Sequence, residues 1–385
     1  MQRRNFIKVG LIASSGLIIN SCSLQNKGKQ YFYVEKRKGR WWFINDRGKI
    51  FWSIGLNHVD SASLRYNDSA GLWDTKYNNS MREWLHEVKK DLIGWNFNTM
   101  GWNQEVVTIN EQNHRHSRSF TYEEYQWLDM PYCHMLPFIE SHQWEIETRL
   151  PDIKSKGFKE WCEYVARDQC ARLKNDPKLI GYFFSDCPAF VHFNDKNKWK
   201  APLFDPELLK SESGKKELFS LATIYYRVLH DAIRLFDTNH LILGDRYESN
   251  AILPDEIIKA ALPYVDVFSF QCFGGAEAVK NKLGYWAGLT KRPVLLADSS
   301  LFVQPHDPFF PPHETCHQDG RGYTEIVNVL KEIPEAVGFH LCGAYIENKV
   351  RKYGLKNNKD QIDSPYTENI AGANLEMQKW IASKQ

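Results

Sequence analysis

From residue 31 onward, short apolar runs alternate with longer stretches whose apolar positions recur every three to four residues. The short runs predict strands at Ile50–Leu56, Phe97–Gly101, Cys133–Phe138, Leu179–Phe184, His240–Gly244, Val265–Phe270, Pro293–Ala297 and Ala336–Leu341. The periodic stretches predict helices at Met81–Gly94, Phe158–Lys174, Lys215–Phe236, Asp255–Leu262, Ala276–Leu289 and Tyr323–Ile333, with Tyr366–Ser383 closing the chain. Strand starts fall about 25 to 60 residues apart, the repeat of βα units that carry loop insertions. Eight such units in one chain predict an α/β fold, a closed (β/α)8 TIM barrel, as one domain over residues 31–385. The segment Tyr31–Phe43, turning at Arg37-Lys38-Gly39-Arg40, predicts a hairpin that caps the barrel bottom.

A barrel of this kind carries its chemistry on the loops that follow the strands, so the residues at each strand end are the candidate site. Asn57 and His58 follow the first strand, and Trp102 and Asn103 the second. His134 lies in the third, and Ser185-Asp186-Cys187 ends the fourth. Asp245, Arg246 and Glu248 follow the fifth, Gln271 the sixth, and Asp298 the seventh; His340 lies near the end of the eighth, which Cys342 to Asn348, with Glu347, follow. Polar and aromatic groups converging at one mouth suit a sugar, which offers hydroxyl edges to polar atoms and C–H faces to rings.

Composition narrows the class. The chain has 385 residues, 43% hydrophobic, with 49 Lys+Arg against 47 Asp+Glu. That excludes a disordered polar chain, a basic nucleic-acid binder and a multi-pass membrane protein. Thirteen Trp, 18 Tyr and 22 Phe serve either an aromatic-rich core or a binding groove.

The N-terminus reads as an address. Arg3-Arg4 precedes an apolar run, Val9 to Ile19, that is too short to span a bilayer and ends at Ser21-Cys22. Residues 1–21 resemble a twin-arginine lipoprotein signal, with Cys22 as the lipidated thiol and residues 22–30 as a tether. An ordinary cleaved signal is the alternative, and both imply export. Seven other cysteines, an odd number, leave at least one free thiol, and no spacing matches a metal motif; no cofactor is expected.

Two apolar strands end abruptly in a carboxylate, at Asp186 and at Asp298. Glycoside hydrolysis needs such a pair, one acid to protonate the leaving oxygen and one carboxylate to attack the anomeric carbon or activate water. Each also has a structural alternative, Asp186 as a buried loop carboxylate and Asp298 as a helix N-cap. Asp245 and Glu248 are rival acids, although Asp245-Arg246 also reads as an ion pair. His58, His134 and His340 read sugar hydroxyls or fill the core. Asn57, Asn103 and Gln271 are candidate hydroxyl readers, and Trp102 a stacking platform. Glu347 belongs either to a salt-linked loop or to a contact with an acidic or sulfated sugar. The segment Phe302–Gly322, rich in Pro and His, is a long loop of the kind that shapes clefts.

The stretch from Arg40 to Asn57, RWWFINDRGKIFWSIGLN, resembles the opening of agarase-like glycoside hydrolases of clan A. Asp176 to Phe183, DPKLIGYF, is similar to their fourth strand, and Arg292 to Asp298, RPVLLAD, to their seventh. Gly338-Phe339-His340, Arg351 to Leu355 and Asp360 are similar to the eighth strand and its loop. The resemblance implies a barrel and retaining hydrolysis of a β-linked, galactose-type polysaccharide. Two departures stand out. Asp186-Cys187 occupies the place of the family's Asn-Glu, and Asp298 that of its nucleophilic Glu. A thiol is a poor replacement for a carboxylic acid, so the acid moves to Asp186, and the shorter aspartates leave the stereochemistry open. The missing Glu also motivates a second class, a glycan-binding lipoprotein that no longer hydrolyses.

Overall fold

The computed structural model describes residues 30–65, 71–104, 106–110, 113–116, 118–142, 147–149, 152–188, 190, 206–249, 252–299, 320–347, 354–362 and 365–385. The lipidation candidate Cys22, its signal and most of the Phe302–Gly322 loop lie outside them.

Eight parallel strands close into a barrel: β1 (Ser53–Leu56), β2 (Thr99–Met100), β3 (Tyr132–Met135), β4 (Leu179–Asp186), β5 (Leu241–Glu248), β6 (Phe268–Gln271), β7 (Val294–Ser299) and β8 (Ala336–Leu341). Closure is made by β8 on β1, in the register Gly338↔Ser53 to Leu341↔Leu56. All eight coincide with predicted runs. The helices follow in turn: α1 (Met81–Gly94), α2 (Tyr122–Leu128), α3 (Lys156–Leu173), α4 (Glu212–Arg234), α5 (Asp255–Ala261), α6 (Ala276–Thr290), α7 (Arg321–Glu332) and α8 (Tyr366–Ala382). Helix α2 has no counterpart among the predicted elements. It is announced by Thr121-x-x-Glu124, a capping box in which the Thr121 hydroxyl accepts from the Glu124 N–H and the Glu124 carboxylate accepts from the Thr121 N–H. Ser80, Ser155 and Ser211 cap α1, α3 and α4 in the same hydroxyl-to-backbone manner.

Two apolar layers hold the barrel. Inside it, Cys133, Met135, Ile180, Phe183, Leu241, Leu243, Val267, Leu295, Ala297 and Val337 pack together. Outside it, alternate residues such as Tyr182, Phe184, Ile242, Phe270 and Leu296 pack on the helices. The interior is therefore a filled core rather than a pore. Its bottom is closed as predicted. Strands Tyr33–Arg37 and Arg40–Ile44 form a hairpin, with Lys38 and Gly39 at positive φ, and Phe32 and Phe43 enter the interior core. The Trp41 N–H donates to the Pro334 carbonyl at 2.8 Å, tying the hairpin to the start of β8.

A second clamp fixes the chain's C-terminal part. The buried Lys356 ammonium pairs with Asp91 of α1 and with Asp360, and it donates to the Tyr345 hydroxyl. Burying such a cation is tolerable only because every donor meets an acceptor.

Candidate active site

Breaks in strand alternation near the mouth assemble the site, with register shifts in β4, β6 and β7 and one in β5 that can be traced to a single residue. In β5, Leu241 and Leu243 face the interior while Ile242 faces the helices. Gly244 then takes φ 69, in the left-handed region, and the pairing with β4 slips by one residue there. The slip turns Arg246 toward the barrel axis, and by the two-residue repeat Glu248 shares that face. It turns Asp245 outward instead.

Arg246 is fully buried at the centre. Its Nη1 donates to Asp186 Oδ1, and its Nη2 donates to Asp298 Oδ2 at 2.8 Å and to the Ala297 carbonyl at 3.1 Å. One guanidinium thus spans the two carboxylates that end β4 and β7. The guanidinium carbon sits 4.6 Å above the Trp102 ring and 5.8 Å from that of Phe183. Burial opposes the charge on Arg246, but Asp186 and Asp298 beside it more than offset that, and its proton is held more tightly than usual.

Each aspartate has a further donor. Gln271 Nε2 donates to Asp186 Oδ1 at 2.9 Å, and Asn57 Nδ2 donates to Asp298 Oδ1 at 2.9 Å. Asn57 is itself fixed, because its Oδ1 accepts from the Trp102 N–H at 2.8 Å. Gly101 makes room for that carboxamide, since any Cβ there would overlap Asn57 Oδ1.

His58 takes φ 56, and its Nε2 lies 3.4 Å from Cys342 Sγ and 3.9 Å from Asp298 Oδ2. His58, Asp298 and Cys342 each offer one ligand atom, and all three atoms lie within 4.8 Å of one another. They come from the ends of β1, β7 and β8, so no spacing motif in the sequence could announce them. Cys187, at φ 42, lies with its thiol 3.9 Å from Glu248 Oε2. Burial, then Asp186 and Glu248, push this thiol well above its ordinary pKa, so it stays protonated.

The structure gathers Asn57, His58, Trp102, Arg246, Glu248, Gln271, Asp186 and Asp298 at one end of the barrel. Asn103 lies beside them and is buried, with neither amide atom bonded among the described residues; the same holds for Ser299 Oγ and Gln271 Oε1. Other candidates need correction. Asp245 is fully buried behind the strand, where it accepts from Ser185 Oγ and from the Tyr225 hydroxyl of α4. Burial raises its pKa to about 6 without making it part of the mouth. His134 also faces the helices, between the Tyr125 hydroxyl and Gln169 Oε1, and burial lowers its pKa to about 4. His340 packs inside the barrel on Gly55, with Nε2 at 2.8 Å from Ser53 Oγ, and burial followed by the charge of Arg246 lowers it to about 3. Trp102 is 1% exposed with Arg246 over its ring, which leaves no face for a sugar. Glu347 is half-buried, and its N–H donates to the Lys356 carbonyl at 2.8 Å. The cysteines Cys133, Cys162, Cys170, Cys187, Cys272 and Cys342 are free thiols.

No family model matches this chain, and no curated protein matches it. Solved structures do. A crystallised agarase superposes with a TM-score of 0.68 at 16% identity, over 92% of this chain and 64% of its own. An exo-β-agarase gives 0.70 at 15%, over 93% and 66%. A β-glucuronidase from Bacteroides uniformis gives 0.56 at 13%, over 89% and 37%. These neighbours share this chain's fold, a closed (β/α)8 barrel. The chain spans about two thirds of the agarases' length.

Proposed function

We propose that this protein is a glycoside hydrolase working at the barrel mouth on a β-linked oligo- or polysaccharide of galactose type or related. The observation that carries it is the meeting of Asp186 and Asp298 on a single guanidinium, which brings two carboxylates from remote parts of the chain to one end of the barrel. The fold shared with agarases and β-glucuronidases supports the same reading. Asn103, Gln271 Oε1 and Ser299 Oγ are buried and unbonded among the described residues, and a hydroxyl-bearing ligand offers polar contacts of the kind they lack.

In this reading Asp298, oriented by Asn57 and Arg246, is the nucleophile or base. Asp186 is ion-paired with Arg246, and a neighbouring positive charge favours its carboxylate form over a proton donor. The proton donor is therefore Glu248, which is half-buried on the same face as Arg246, and Asp186 is a positioning residue for the guanidinium. Arg246 also satisfies both aspartates at once, which favours a second reading in which the mouth binds glycan without cleaving it.

A panel of agarose, galactans, and neutral and sulfated galacto-oligosaccharides separates the two. Release of reducing ends by the wild type, lost in Glu248→Gln, supports hydrolysis. Retention of a glycan with no release on long incubation establishes binding alone, and neither retention nor release removes both.

Export with a lipid anchor at Cys22 completes the proposal. Radiolabelled palmitate that enters the wild type but not Cys22→Ala supports it, and equal labelling of both refutes it.

A further inference from the structure

We propose that His58 Nε2, Asp298 Oδ2 and Cys342 Sγ form a binding site for one zinc-class divalent cation at the barrel mouth. The inference rests on geometry alone and does not require the hydrolase reading. Three different ligand types from three strand ends meet here, with Nε2 3.4 Å from the sulfur and 3.9 Å from the carboxylate oxygen. A tetrahedral zinc ion bound through N, S and O places its ligand atoms about 3.3–3.8 Å apart. The His58–Cys342 separation lies inside that range, the His58–Asp298 separation just outside it, and Cys342 Sγ lies within 4.8 Å of Asp298 Oδ2. His and Cys select zinc and its neighbours over magnesium or calcium, which prefer all-oxygen shells.

The surroundings suit a cation as well. Asn57 donates to the other oxygen of Asp298, the kind of outer contact that aims a ligating carboxylate. Asp298 Oδ2 also accepts from Arg246, and a carboxylate oxygen has lone pairs for both partners. On binding, the S–H bond of Cys342 breaks, its proton leaves to solvent and the sulfur pair goes to the metal. Three protein ligands leave a fourth position for water or a substrate oxygen.

The test uses untagged, reduced protein in equilibrium dialysis against micromolar Zn2+, with bound metal measured by atomic emission, followed by Co2+ in place of zinc. One equivalent per chain is expected. Cys342→Ser and His58→Gln are each expected to weaken binding at least about tenfold, with unchanged circular dichroism. The wild type loaded with Co2+ is expected to show a thiolate-to-cobalt charge-transfer band, a readout that needs no variant. No stoichiometric metal, metal retained equally by both variants, or one bound Co2+ without that band overturns the site. Because zinc would occupy Asp298, it is also expected to inhibit glycan cleavage; stoichiometric zinc with undiminished turnover would refute the catalytic assignment of Asp298 and leave the metal site standing.

Discussion

Replacing Arg246 with methionine, which keeps an unbranched apolar stem and removes the guanidinium, tests how the mouth is held. Arg246 is buried between two buried aspartates. Taking one partner from a buried ion pair costs about 3–5 kcal/mol, because the remaining charge is left uncompensated. Unfolding entropy of about 2.1 cal/mol/K per residue gives roughly 0.75 kcal/mol/K for a folded part of about 355 residues, so the expected fall in Tm is about 4–7 °C. Calorimetry of both proteins at pH 7 is the assay. A Tm within 1 °C of wild type would refute the bridging role of Arg246.

Other predictions follow from the surroundings of the mouth. Asp245→Asn is expected to keep full activity, because the side chain lies behind β5, and to leave stability equal or higher above pH 6, where the buried carboxylate would otherwise carry its charge; loss of turnover would return Asp245 to the site. Gly101→Ala should push Asn57 off Asp298 and lower kcat by about 10- to 100-fold with the fold retained, as circular dichroism would show. The depressed values of His340, about 3, and His134, about 4, mean that the unfolded chain binds more protons below its histidine value near 6.5. Stability contributed by these neutral histidines is therefore present above pH 6.5 and is lost as pH falls toward 4 and then 3, at up to about 1.4 kcal/mol per pH unit for each. Denaturation midpoints measured from pH 7.5 to 4.5 should show this slope, and His340→Gln should reduce it.

The barrel was legible because its strands are buried on both faces and so appear as unbroken apolar runs, with Leu179–Phe184 and Ala336–Leu341 the plainest. Helix α2 escaped because seven residues hold too few turns to show periodicity, although the Thr121/Glu124 capping box marked it. At the site, each residue's position along its strand could be read, but the direction of its side chain could not. Gly244 decides that direction in β5: a strict two-residue repeat running on from Leu241 and Leu243 would have put Asp245 inward, and the slip sends Arg246 there instead. His134 was misplaced for a related reason, since a polar residue in a barrel strand can face the helices when Tyr125 and Gln169 supply its bonds. The His58, Asp298 and Cys342 cluster depends on closure of β8 against β1, a contact between the two ends of the barrel sequence.

The most direct test of the account is the ratio of kcat/KM for wild type and Asp298→Asn on the first glycan of the panel that the wild type cleaves. Loss of the attacking or water-activating carboxylate predicts a fall of at least about 1,000-fold, measured at a temperature where circular dichroism shows the variant folded and with glycan retention preserved. An Asp298→Asn protein that cleaves within about tenfold of wild type would contradict the claim that the barrel mouth performs the hydrolysis.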